Sequence, residues 1–129
     1  MATNHLSHFS LTLQLLPLMK KTAAACPGGV RIVNVSSHLH FLSDLRANNM
    51  HLVKSFDSQT AYANSKCAQV LFTRLLRRHL GDTGVHAFAV HPGIVRTSIT
   101  RSLPIILQNG QDLIRYFHFT PEEGMIVSI

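Results

Sequence analysis

The sequence has no tryptophan, two cysteines among its 129 residues, and half as many acidic side chains as basic ones, 6 against 12. Cys26 and Cys67 form neither a disulfide framework nor a metal-binding spacing, which points to a reducing, intracellular compartment. No apolar run approaches the roughly 20 residues that cross a bilayer, so no membrane span is expected in this chain. The first residues lack the basic-then-apolar order of a signal peptide. The seven glycines, at positions 28, 29, 81, 84, 93, 110 and 124, nowhere gather into a phosphate-cradling loop.

What is present is packable. Hydrophobic residues make up 46% and charged residues 14%, which excludes a disordered chain and suits one domain with a modest core. The formal charge of +6 raises nucleic acid or an anionic surface as partners. The densest basic group, Arg74, Arg77 and Arg78, is spaced as a solvated helix face and has no aromatic residues interleaved for base stacking, so no nucleic-acid partner is expected.

Leu6, Phe9, Leu13, Leu16 and Met19 recur at spacings of three and four, predicting a helix from Asn4 to about Ala25 with one buried face. Cys26-Pro27-Gly28-Gly29 ends it. The β-branched run Val30 to Val35 predicts a largely buried strand, with Ser36 and Ser37 at its C-terminal end. His38 to Thr60 has no sustained period and reads as a long loop of the kind that is usually functional. A second helix is predicted from about Thr60 to Leu80, apolar along Val70, Leu71, Leu75, Leu76 and Leu80, with Arg74 and Arg78 opposite.

Gly81-Asp82-Thr83-Gly84 terminates that helix, and Val85 to Val90 predicts another buried strand. Strand, crossover helix, strand is a βαβ unit with parallel strands, so the fold class is α/β. Beyond His91-Pro92-Gly93, short helices are expected at Pro104 to Leu107 and Asp112 to Phe117. Thr120-Pro121-Glu122-Glu123 has the form of a helix start. A helix beginning close to either end suggests one partial domain, 1–129, truncated at both ends: the central and C-terminal part of a doubly wound sheet.

Chemistry concentrates at Tyr62 and Lys66, four apart on the second helix and therefore on one face. A phenol ionises near pH 10 and needs a cationic neighbour to trade protons near neutrality, which a lysine at this spacing supplies. Ser37, at the end of a parallel strand, is placed to hold a substrate oxygen. Nine histidines include the pairs His5/His8 and His38/His40, but no cysteine or carboxylate completes either pair, and packing roles at element ends are expected instead of a metal site.

The blocks Asn4-His5-Leu6-Ser7-His8-Phe9, Val33-Asn34-Val35-Ser36-Ser37, Tyr62-Ala63-Asn64-Ser65-Lys66 and His91-Pro92-Gly93-Ile94-Val95-Arg96-Thr97 stand in an order that resembles the short-chain dehydrogenase/reductase family. The similarity is to its retinol dehydrogenase-like members and covers nearly the whole chain. Ser7 replaces the glycine usual there.

The resemblance implies a Rossmann-like fold and NAD(P)-dependent hydride transfer between nicotinamide and a carbonyl or alcohol. It implies Tyr62 as general acid/base, Lys66 on the nicotinamide ribose, Ser37 orienting the substrate, and Asn4 anchoring a water of the proton relay. Pro92, Gly93, Ile94 and Thr97 match the turn beside the nicotinamide carboxamide and phosphates.

By the same resemblance the cofactor is NADP or NAD, the substrate a small lipophilic alcohol or aldehyde of retinoid, steroid or simple type, and full-length relatives are often membrane-associated. The two long helices are candidate surfaces for a homodimer or a sibling subunit. The family's opening strand, its Thr-Gly-x-x-x-Gly-x-Gly turn and its Asn-Asn-Ala-Gly strand have no counterpart here. The alternative expectation is therefore a catalytically inactive fragment acting by association.

Overall fold

The structure is a computed structural model that describes residues 1–46, 56–92, 94–95, 118–119 and 127–128. Met1–His91, with Ser128, form one compact unit, and Pro92–Val127 a second. A widened helical turn, Ala2–Leu6, leads directly into helix α1, Ser7–Ala25. Strand β1, Val30–Val35, follows, then a single 3-10 turn at His38–Leu42, helix α2 at Ser58–Leu80, and strand β2 at Val85–His91. Two-residue strands occur at Ile94–Val95 (β3), His118–Phe119 (β4) and Val127–Ser128 (β5).

β1 and β2 run parallel in register from Val30 opposite Val85 to Val35 opposite Val90, as the βαβ reading requires. The sheet order is β1-β2-β5, and β3 pairs parallel with β4 in the second unit. The strands are brought level by two tight turns in contact. Gly29 takes φ +66°, and a side chain there would press its Cβ to 2.6 Å from the Gly84 carbonyl, which instead accepts the Val30 N–H at 2.9 Å.

Helix α2 begins two residues earlier than its hydrophobic period suggests. Asp57 caps it, its carboxylate accepting the Thr60 N–H at 2.7 Å, and this hydrogen bond holds the Asp57 carboxyl below its ordinary value. At the other end Gly81 turns with φ +49° and its N–H reaches the Arg77 carbonyl, while Arg77, Arg78 and His79 occupy the last turn, where cations suit the helix dipole.

The core lies where Leu16 and Ala23 of α1 and Leu76 and Leu80 of α2 meet Ile32, Val85 and Ala87 of the strands. Both helices therefore cover the same face of the sheet. The other face corrects the expectation of buried strands, since burial alternates along β1 and β2 and leaves Val33 and Val35 about half exposed with Phe88 over a third. A parallel strand is buried on both sides only where helices lie on both, and among the described residues they lie on one.

The helix faces are also narrower than their periods suggest. In α1 only Thr12, Leu16 and Ala23 are buried, while Phe9 and Leu13, and Leu6 just before the helix, all expected in the core, are exposed. In α2, Leu76 and Leu80 are buried but Leu71 and Leu75 face outward. The expected helices at 104–107, at 112–117 and from 120 lie outside the described residues, apart from Val127–Ser128, which form a strand.

Leu80→Ala is expected to cost about 2–5 kcal/mol in urea unfolding, because Leu80 is 2% exposed in the centre of the cluster. Leu75→Ala, at 62% exposure, should cost under about 0.5 kcal/mol.

Candidate active site

Tyr62 and Lys66 lie in the first half of α2, one turn apart, and the Lys66 ammonium sits 5.6 Å from the centre of the Tyr62 ring, over its face. Lys66 is tied to the end of β1 in both directions. Its Nζ donates to the Val35 carbonyl at 2.8 Å, and its own carbonyl accepts the Ser36 hydroxyl at 3.1 Å. Burial disfavours the charged ammonium and lowers the Lys66 pKa from its ordinary 10.5.

The two serines after β1 divide the work. Ser36 is buried, and its N–H donates to the Val90 carbonyl at 2.7 Å, which extends the strand pairing. Ser37 is half-buried and caps the 3-10 turn, its hydroxyl accepting the Leu39 N–H at 3.3 Å. The Ser37 carbonyl accepts from the His40 backbone at 3.0 Å and contacts the His40 ring Nδ1 at 2.6 Å. The Ser36 hydroxyl is thus spent on the helix, and the Ser37 hydroxyl keeps its own proton free to donate.

Asn4 reaches the same helix from the widened turn, where the Leu6 and Ser7 N–H groups reach back five residues to the Met1 and Ala2 carbonyls. Its Nδ2 donates to the Ser65 hydroxyl at 3.1 Å, and Ser65, fully buried, donates to the Tyr62 carbonyl at 2.7 Å. Turns of this i+5 kind are rare and concentrate at functional positions. Asn4 is therefore bonded to the stretch of α2 that carries Tyr62 and Lys66, and Ser37 directly follows the Ser36 that touches Lys66.

Pro92 opens the second unit, Ile94 begins β3, and Gly93 and Thr97 lie outside the described residues. Four of the histidines, His5, His38, His40 and His91, make ring contacts. His5 sits against Phe9 and Phe72, and His38 lies edge-on to His91 with ring centres 4.3 Å apart. Burial lowers the pKa of both His5 and His91, helped in His91 by the neighbouring His38 and His40. Among the described residues no three metal-ligating side chains cluster, and no helix is long and apolar enough to cross a membrane. A hollow of about 400 Å³ near Gly29 and His86 and one of about 440 Å³ under Arg74 and Arg77 both lie away from Tyr62.

Four contributors escaped the sequence reading: Ser36, Ser65, Gln69 and Asn64. Asn64 is fully buried, and its Oδ1 accepts the Asp44 N–H at 2.9 Å, tying the segment after the 3-10 turn to α2. A signal existed for two of the others, since Ser65, Gln69 and Thr73 continue the Tyr62/Lys66 pair as a polar stripe at spacings of three and four.

Residues 1–105 match the family model described as short chain dehydrogenase. The chain belongs to that family. It is similar to retinol dehydrogenase 12 of Mus musculus, 46% identical over 99 residues that cover 77% of this chain and 30% of that protein. It is also 40% identical over 129 residues to retinol dehydrogenase 14 of Homo sapiens, across 98% of this chain and 37% of that protein. The chain thus spans well under half the length of these curated relatives.

Among solved structures it resembles an NADPH-bound carbonyl reductase from chicken fatty liver, at TM-score 0.62 and 24% identity over 95% of this chain and 43% of that one. The short-chain dehydrogenase fold is thereby the expected α/β arrangement, with the central part of a parallel, Rossmann-type sheet.

A lysine with a lowered folded-state pKa loses its proton in the folded chain before the unfolded one. Stability therefore rises as pH climbs through the lowered value toward 10.5, and the burial penalty operates in full at lower pH. Lys66→Met should remove this rise, so that the stability difference between parent and variant shifts in the parent's favour as pH is raised to 10.5 in urea titrations.

Proposed function

We propose that this chain carries the acid/base half of an NAD(P)-dependent oxidoreductase of the retinol dehydrogenase type, acting on a small lipophilic alcohol or aldehyde. The single observation behind this reading is that α2 holds the Lys66 ammonium over the Tyr62 ring and against the end of β1, while Asn4 is bonded through Ser65 to the same helix. The relatives named retinol dehydrogenase and the NADPH-bound reductase of similar fold support the direction.

The donor set fits the nicotinamide end of such a cofactor: a lysine ammonium held, among the described residues, by one backbone carbonyl and able to exchange that partner for a ribose hydroxyl, beside a half-buried phenol. No cradle for the pyrophosphate is found among the described residues, where Gly29, Gly81 and Gly84 close turns. When bound, the nicotinamide supplies or accepts the hydride. Tyr62 gives its phenolic proton to the carbonyl oxygen in reduction and takes it back in oxidation, while Lys66 favours the phenolate electrostatically. Ser37 donates a hydrogen bond to the same oxygen and orients it. Pro92, Gly93, Ile94 and Thr97 are proposed contacts for the carboxamide and phosphates.

A second reading, association without catalysis, is favoured by the leucines that α1 and α2 turn outward. Leu11, Leu18 and Leu75 are each more than half exposed, an apolar surface suited to a sibling subunit or a second copy.

Titration of the purified chain with NADPH and with NADH, following cofactor fluorescence and melting together, separates the two. Under the catalytic reading the cofactor stabilises the fold, by about 2.7 kcal/mol at a hundred times its Kd. Tyr62→Phe should then lower turnover by about 10²–10⁴ without moving the melting temperature, because it removes only the transferable proton. Absence of binding by both cofactors, or equal rates for parent and Tyr62→Phe, would overturn the catalytic reading.

A further inference from the structure

Gln69 is the least expected side chain in the core. It is 2% exposed, one turn beyond Lys66 on α2, at a position where an apolar residue would pack. Among the described residues its buried Oε1 has no partner, which makes a glutamine here a poorer packing residue than a leucine or methionine. The compensation lies on the nitrogen. Nε2 donates to the Asn4 main-chain carbonyl at 2.6 Å and approaches His8 Nδ1 at 3.1 Å.

The amide cannot be reversed, because Oε1 in the place of Nε2 would face the Asn4 oxygen, acceptor against acceptor. One N–H of Nε2 goes to the Asn4 carbonyl, and His8 Nδ1 lies 3.1 Å from both Nε2 and that same carbonyl. The Gln69 main chain is engaged as well, its carbonyl accepting the Thr73 hydroxyl at 2.8 Å, and that hydroxyl in turn accepts from Asn34 of β1 at 2.9 Å. A buried polar chain thus runs from the widened turn through α2 to the strand.

Asn4 is consequently gripped at both ends, its side chain by Ser65 and its carbonyl by Gln69, two α2 residues that flank Lys66. We propose that Gln69 is a positioning residue: its amide holds the Asn4 carbonyl and the widened turn against the catalytic helix, so that Asn4, Tyr62 and Lys66 keep one geometry. This rests on the oxidoreductase reading for its purpose, but the clamp itself is measurable without cofactor. An i+5 turn followed by an ordinary helix is easily lost to a regular helix, and a fixed external donor to one of its carbonyls resists that change.

In the unmutated 129-residue chain, NMR should detect through-hydrogen-bond coupling between the Gln69 side-chain amide and the Asn4 carbonyl carbon. Gln69→Met keeps the length and fills the site with apolar atoms. In that variant the amides of Leu6 and Ser7 should exchange about tenfold faster or more. The Asn4 side-chain amide resonances should move to solvent-exposed positions, while Ile32 and Ala87 in the sheet keep their protection. No coupling in the parent, or a methionine variant with Asn4 and its turn unchanged, overturns the proposal, and the parent measurement decides even if the variant does not fold.

NADPH titration and aldehyde turnover run on the same samples keep the two ideas apart. A parent that binds no cofactor but shows the coupling sinks the oxidoreductase reading and leaves the clamp standing without its catalytic purpose. A parent that turns over should lose about ten- to hundredfold in kcat on Gln69→Met, with KM for NADPH within about twofold, as expected for lost alignment rather than lost binding. Unchanged kcat would defeat the positioning role.

Discussion

The geometry around Tyr62 depends on one cross-tie, the pair of hydrogen bonds between Lys66 and the end of β1. The ammonium holds the Val35 carbonyl, and the Ser36 hydroxyl holds the Lys66 carbonyl. These bonds fix where along the strand the helix sits and therefore which residues of α2 overhang the strand end. Two hydrogen bonds of this kind contribute a few kcal/mol at most, far less than the apolar cluster at the other end of the helix. Their effect is positional: hydrophobic contacts tolerate sliding, and donor–acceptor pairs do not.

Helix α2 is accordingly built in two halves. From Leu76 to Leu80 it is anchored by apolar contact with Ile32, Val85 and Ala87. From Tyr62 to Thr73 its buried residues are mostly polar, Asn64, Ser65, Gln69 and Thr73, each bonded to another element or to its own turn. Such a half is less stabilising per residue and less forgiving, because each buried polar group must find its partner. The proposed site, with its phenol, ammonium and asparagine, lies on this half. Among the described residues two buried amide atoms, Nδ2 of Asn64 and Oε1 of Gln69, have no partner, the cost of using amides where only one end is satisfied.

Much of this was legible in the letters. The β-branched run before Ser36, the Tyr62/Lys66 spacing and the paired turns around Gly29 and Gly84 follow from local rules, and the βαβ unit follows from their order. The outward leucines were not legible in the same way. Leu13 and Leu75 satisfy a helical period as well as Leu16 and Leu76 do, and only the position of each helix on the sheet separates them. Strand burial failed for the same reason, since Val33 and Phe88 are apolar whether or not anything covers them.

The sequence by itself determined the family and the fold class and placed Tyr62 and Lys66 on one face, because these rest on residue type and on spacings of three and four that a helix converts into a shared face. Only the tertiary structure decided what holds that pair. That Asn4 meets Ser65 and Gln69, separated from them by more than sixty residues, depends on how the widened turn before α1 lies across α2. No periodicity within either helix encodes a hydrogen bond between them, since it exists only once both are docked on one face of the same two strands.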